Sequence, residues 1–324
     1  MHTRASIKPC LGFFLLGVLA LAPLGALPSA SAPASLRQGD PLLVRLSSGT
    51  GLLAPRVDLL GPGGKRIDGS PAFLENKPGA SAASGAAGPT AATWMALLAI
   101  PLDLPPGLYQ IAITGSELFE AASAAPNPFI LRLNLGVEAR AFSEEDIKLD
   151  GPNTALRTVP DPKKTAEAEA LFALLGRVDP ASDWLMSSFS PPVEGFPRSA
   201  GFGDKRRYLY MGGESEGAIH AGIDFAVVVG TPVRACGPGR VVFAGPRIVT
   251  GTTVVVEHAP GLYSVYMHLS AVKTKPGQVL AKGEVLGLSG VTGLATGPHL
   301  HWELRLRGQA VDPDYWVSHA PLDK

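Results

Sequence analysis

Apolar positions along the chain fall into runs, and the runs change character three times. Leu11 to Leu27 is a single apolar block broken only by small residues and Pro23. From Leu36 to about Leu135 the runs are short and rich in Val, Ile, Leu and aromatics: LLVRLSS, RVDLLG, TWMALLAIPL, GLYQIAITGS and FILRLNLG, with Gly or Pro in nearly every gap. That pattern predicts strands joined by turns, hence a small sandwich of β-sheets. Between two of these strands, KPGASAASGAAGPTAAT (Lys77 to Thr93) has almost nothing to bury and is expected to be a loop.

After residue 135 the pattern turns polar. EEDIKLDGPN and VPDPKK are rich in charges and breakers, and Lys163 to Val178 then supplies strong helix formers with Ala168, Leu171, Leu174 and Leu175 on one stripe. One short amphipathic helix is predicted, a strut against whatever follows. From Pro191 onward, strand-like runs resume. VVVEH and LYSVYMHL, joined by APG, read as a hairpin, and GPGR at Gly237 to Arg240 reads as a turn. The expected architecture is mainly β: an N-terminal β-sandwich-like domain at 35–135, a short helical connector at 136–190, and a C-terminal antiparallel β-sheet domain at 191–324.

Composition refines this picture at three points. Residues 1–34 pair a basic start (Arg4, Lys8) with the apolar block and a small-residue tail, the three-part pattern of a secretory signal peptide. Cleavage after Ala34 fits the small-x-small rule; no stable membrane span is expected afterwards, and Cys10 leaves with the leader. Losing Arg4 and Lys8 leaves 26 cations against 28 acids, so the remaining chain carries about −2 and has no basic footprint for nucleic acid. Cys236 is then the single cysteine, which excludes an intrachain disulfide. It is expected to be a small buried hydrophobe.

The candidate chemistry lies in the last third. Four of the seven histidines, with one aspartate, occupy HAGID (His220, Asp224), YMHL (His268) and HLHW (His299, His301). In HLHW the histidines alternate with Leu300 and Trp302, so a strand puts both imidazoles on one face and the apolar pair on the other. A catalytic first-row metal takes three protein ligands of imidazole or carboxylate type and leaves a position open. His220, Asp224 and one histidine of the pair make such a set.

These strings, in this order, together with SAGFGDKRRY (Ser199 to Tyr208), GTPVRA (Gly230 to Ala235) and GQVLAKGEVLGLSGVTG (Gly277 to Gly293), resemble the M23 family of zinc metallopeptidases, the lysostaphin-like and LytM-like peptidoglycan endopeptidases. The resemblance runs from about Phe189 to Trp316. It implies that His220, Asp224 and His301 bind Zn²⁺ and that His268 and His299 are catalytic; we assign His299 as general base and His268 as oxyanion stabiliser, two roles that the sequence alone does not separate. It also implies peptidoglycan stem or cross-bridge peptides as substrate and an address in the periplasm, cell envelope or exterior of a bacterium. The alternative is a non-catalytic wall-binding module or activator of a cell-wall amidase; such relatives lose metal ligands, whereas this set is intact. Arg206 and Arg207 are candidates for holding a substrate carboxylate, since a guanidinium matches it in two places. His258 is expected to hydrogen-bond locally at a turn, and His319 to lie on the surface.

Overall fold

The computed structural model describes residues 27–49, 51–75, 92–118, 125–182 and 188–319. The apolar block of the leader, and nearly all of the low-complexity stretch from Lys77 to Thr93, lie outside these residues.

The five predicted N-terminal runs all form strands: Pro41–Ser48, Gly51–Leu60, Ala92–Ala99, Gly107–Leu118 and Asn127–Glu138. They build two sheets. Pro41–Ser48 pairs antiparallel with Ala92–Ala99, flanked by Ser29–Ser31 and Phe73–Leu74. The second sheet runs Ser35–Arg37, Asn127–Glu138, Gly107–Leu118, Gly51–Leu60, Arg66–Pro71. Alternation fills the space between them, where Leu42, Val44, Leu46, Val57, Leu59, Ile111, Ile113 and Leu135 lose all contact with water. Ser29–Ser31 lies within the stretch expected to form the tail of the leader.

TWMALLA is apolar throughout rather than alternating, and its surroundings explain why. Trp94, Ala96 and Leu98 face the sandwich core, while Leu97 and Ala99, with Leu43 from the neighbouring strand, pack into the core of the C-terminal unit. A strand covered on both faces has no polar side to show. Charges seal the same seam: Arg140 donates to Asp312 (2.6 Å) and also bonds Asp40, and Arg307 bonds Asp68.

The C-terminal unit is built on one large sheet, ordered Arg198–Ala200, Ile223–Phe225, Leu300–Leu306, Leu262–Leu269, Thr252–Ala259, Gly239–Gly245, Val279–Leu280, every neighbour antiparallel. The predicted hairpin is present: Ala259 pairs with Leu262 across Pro260 and Gly261, and Gly261 takes the φ of +80° that the two-residue turn needs. Leu300, Trp302, Leu304 and Leu306 all point into the core with no exposure.

The connector holds more structure than its polarity predicts. The expected helix is Pro162–Leu175, and its Leu171 and Leu175 pack on Val255, Tyr263, Val265 and Met267 of the large sheet. A further helix, Gly151–Thr158, precedes it, capped by Asp150. Before that helix, Glu144–Lys148 forms a strand lying parallel to Lys205–Leu209, which in turn pairs with Ser215–Ile219. Glu144, Glu145 and Asp146 stand opposite Lys205, Arg206 and Arg207. Opposite charges directly across a strand pair stabilise it.

Candidate active site and metal centre

The large sheet assembles the predicted ligands from two strands and one turn. Asp224 sits on Ile223–Phe225 directly opposite His301 of Leu300–Leu306. His220 follows Ser215–Ile219, and its ring is fixed by Nδ1 donating to the carbonyl of Gly201 at 2.6 Å. That bond turns its Nε2 inward, 3.2 Å from Asp224 Oδ1 and 3.0 Å from His301 Nδ1. His301 Nδ1 stands 2.7 Å from the same Asp224 oxygen. All three residues are buried.

His268 and His299 join them by other means. The ladder between Leu262–Leu269 and Leu300–Leu306 ends at Met267 opposite His301. His268 then takes a left-handed φ of 60°, rare for a residue with a Cβ. The kink brings its ring to 4.6 Å from that of His299, centroid to centroid. His299 lies just before its strand, on an isolated bridge to Gly290. Each donates Nδ1–H to a carbonyl, His268 to Thr292 at 2.7 Å and His299 to Gly297 at 2.8 Å. In their neutral forms both therefore present an Nε2 lone pair to the site.

Burial, reinforced by neighbouring imidazoles, pushes His268 down to about 3, and burial lowers His299 as well, so both are neutral near pH 7. Asp224 behaves oppositely. Burial opposes its charge, but hydrogen bonds from His220 and His301 outweigh that and hold its carboxyl far below the usual range. His301 is raised to about 9: burial disfavours its cation, yet Asp224 and Glu303 more than compensate.

Glu303 was not legible as a site residue, although alternation along Leu300–Leu306 places it on the same face as His301. Its Oε1 accepts from His301 Nε2 at 2.8 Å and its Oε2 accepts from Arg305 at 2.7 Å. A carboxylate there fixes which ring nitrogen of His301 faces the ligand triangle.

The donor set fits zinc. His220 Nε2, Asp224 Oδ1 and His301 Nδ1 lie within 4.8 Å of one another. Tetrahedral zinc with bonds of about 2.0–2.1 Å holds its ligands about 3.3 Å apart, close to the separations found here. A buried carboxylate that draws a proton onto a neighbouring imidazole marks a place where positive charge is favoured.

The triangle opens into a groove of about 520 Å³. Connector residues Glu145, Ile147, Leu149 and Arg157, with Tyr208, line one bank; Val249, Thr250, Leu294 and Pro298 line the other. The helix Gly151–Thr158 ties the two banks. Its Asn153 Nδ2 donates to the carbonyl of Ala295, and its Arg157 donates to Tyr210 and Glu216. Arg206 and Arg207 are both engaged within the chain. Arg206 donates to Glu145 and to Asp224 Oδ2, each at 2.6 Å, and Arg207 pairs with Asp146.

The remaining histidines among the described residues are away from the groove. His319 is exposed and stacks on Tyr315. His258 is fully buried, its Nδ1 donating to Pro238 beside the predicted turn and its Nε2 lying 2.8 Å from Ser264 Oγ. Cys236, also buried, lies 3.8 Å away, and burial lifts its thiol to about 11. Burial lowers His258 to about 4. Between that value and an unfolded pKa of about 6.5 the unfolded chain binds the extra proton, so stability falls as pH drops through this window. The expected loss is on the order of 3 kcal/mol by pH ~4. Denaturant unfolding at pH 7 and pH 4.5 should show a smaller pH dependence for His258→Gln than for the parent. Equal slopes would refute this source of acid sensitivity.

The model of the family described as Peptidase family M23 matches residues 218–313. The DD-carboxypeptidase/endopeptidase Mpg of Neisseria meningitidis serogroup B is 47% identical over 95 residues, 29% of this chain and 22% of that protein. The chain thus spans only about a fifth of the length of such curated relatives. Among solved structures, a putative peptidase M23 from Pseudomonas aeruginosa superposes with a TM-score of 0.51 at 27% identity, over 82% of this chain and 87% of that one. The catalytic domain of the prophage-encoded M23 protein EnpA from Enterococcus faecalis is 34% identical, covering 39% of this chain and 95% of that one, with a TM-score of 0.34. Since the family match lies over all five residues that converge on the groove, this part of the chain is a peptidase family M23 domain.

Proposed function

We propose that this chain is a zinc-dependent endopeptidase that hydrolyses peptide cross-links of bacterial peptidoglycan after export to the cell envelope or beyond. The observation that carries it is the complete set of three buried ligands with two neutral imidazoles aimed into the same groove. Non-catalytic wall-binding or amidase-activating relatives have no need of such a set. Zinc, when held by His220, Asp224 and His301, polarises a carbonyl and brings the pKa of a water to about 7.

The protein's own groups then manage protons. His299 is the better general base: its Nε2 lies 4.0 Å from Asp224 Oδ1, whose negative charge favours its protonated form. His268 is more deeply buried and holds its own proton on Thr292, so its Nε2 accepts a hydrogen bond from water or a substrate amide. It can steady an oxyanion only after taking up a proton. Glu303 keeps His301 in register, and the apolar bank of Val249, Leu294 and Pro298 suits small side chains such as those of Gly and Ala. Among the described residues no helix is long and apolar enough to cross a membrane.

Purified sacculi treated with the chain should release muropeptides cut at a cross-link, identified by mass spectrometry. Release should stop with a chelator and return with zinc. Intact sacculi after treatment with the zinc-loaded chain would reject this substrate.

A further inference from the structure

The ligand carboxylate is wired to the connector. Asp224 offers Oδ1 to the triangle, and its other oxygen is taken by Arg206 at 2.6 Å. Arg206, itself only 12% exposed, spends its second donor on Glu145 of the connector strand, also at 2.6 Å. The strand Glu144–Lys148 is held there by its parallel pairing with Lys205–Leu209.

We propose that Glu145 is a positioning residue for the metal site, acting through Arg206, and that connector docking and zinc binding therefore strengthen each other. This rests on the zinc reading above. Two physical arguments give the same sign. Arg206 places a positive charge beside a site meant for a cation, and Glu145 neutralises it; without Glu145 that repulsion is uncompensated. Equally, zinc drawing on Asp224 loosens its hold on Arg206, which leaves the guanidinium freer to bind Glu145. Coupling of binding free energies is reciprocal, so whatever the connector adds to zinc affinity, zinc returns to the connector.

Glu144 supplies the control. It lies on the same strand one residue away, carries the same charge, and pairs with Lys205 at 3.1 Å, where the lysine is half exposed and clear of the groove. Zinc dissociation constants would be measured on the full chain by competition with a chelator, for the parent, Glu145→Gln and Glu144→Gln. Supporting ligands contribute about 10–100-fold to metal affinity, and Glu145 stands one step further out. Glu145→Gln should therefore still bind one zinc per chain, about threefold to tenfold more weakly, while Glu144→Gln stays within about twofold of the parent. Hydrogen exchange should show residues 144–148 exchanging more slowly with zinc than without it. Parental affinity in Glu145→Gln, or an equal loss in Glu144→Gln, would overturn the proposal while leaving the metal centre standing. A parent chain that took up no zinc would remove the metal reading itself.

Discussion

Alanine at His220, Asp224 or His301 should abolish zinc uptake and turnover together. Each residue provides one corner of the triangle, and two ligands cannot define the pocket that three do. The expected loss of affinity exceeds the ~100-fold that removing a merely supporting residue costs at most. The three variants should also differ instructively. His301→Ala leaves Glu303 buried with Arg305 as its remaining partner, and Asp224→Ala leaves the half of Arg206 that faces the groove without its carboxylate. Both should therefore lose stability as well as metal, since a buried charge deprived of its partner is costly. The polar partners of the His220 ring are the carbonyl of Gly201 and the other two corners of the triangle, so His220→Ala should lose the metal at the smallest structural cost. Elemental analysis, thermal melting and muropeptide release on the three chains would check this. Full zinc content in any one of them would remove that residue from the ligand set.

Much of this site was legible because strands make sequence spacing geometric. The alternation in HLHW puts His301 in the lining of the groove and Leu300 and Trp302 into the core. His299 obeys a different rule: it precedes the strand and reaches the groove from a loop, held by Gly290 and by the carbonyl of Gly297. Nothing in the spacing showed that His268 would need a left-handed backbone to join it. The connector was hidden for another reason. Polar, breaker-rich sequence reads as loop, and Glu144–Lys148 is a strand because Lys205–Leu209 offers both a ladder and three complementary charges. The matching strings EED and KRR were the available signal, and they lie 61 positions apart. The same pairing explains why Arg206 and Arg207 are occupied within the chain. TWMALLA, in turn, is a strand on any reading, but only the fold reveals that its second apolar face belongs to the other domain's core.

His299→Ala should separate chemistry from metal binding. The substitution leaves His220, Asp224 and His301 untouched, and the His299 imidazole hydrogen-bonds only to the carbonyl of Gly297 in its own loop. Zinc should remain at one per chain with affinity near that of the parent. Turnover should nevertheless fall on the order of 10²–10⁴-fold, the usual worth of a positioned acid or base. The pH dependence carries a second signature. His299 must be neutral to accept a proton, and burial holds its pKa below the ordinary value, so the parent should keep its activity below pH 6.5 until that group protonates. In His299→Ala this limb should vanish from the residual rate, while any loss that tracks zinc release in acid remains. His268→Ala, with its ring more buried and its proton committed to Thr292, should also keep zinc but lose its hold on the substrate, so that KM rises along with any fall in kcat. Zinc content, kcat and KM across pH for the two variants would distinguish the roles. If His299→Ala retained parental turnover while His268→Ala lost it, the general base would be His268.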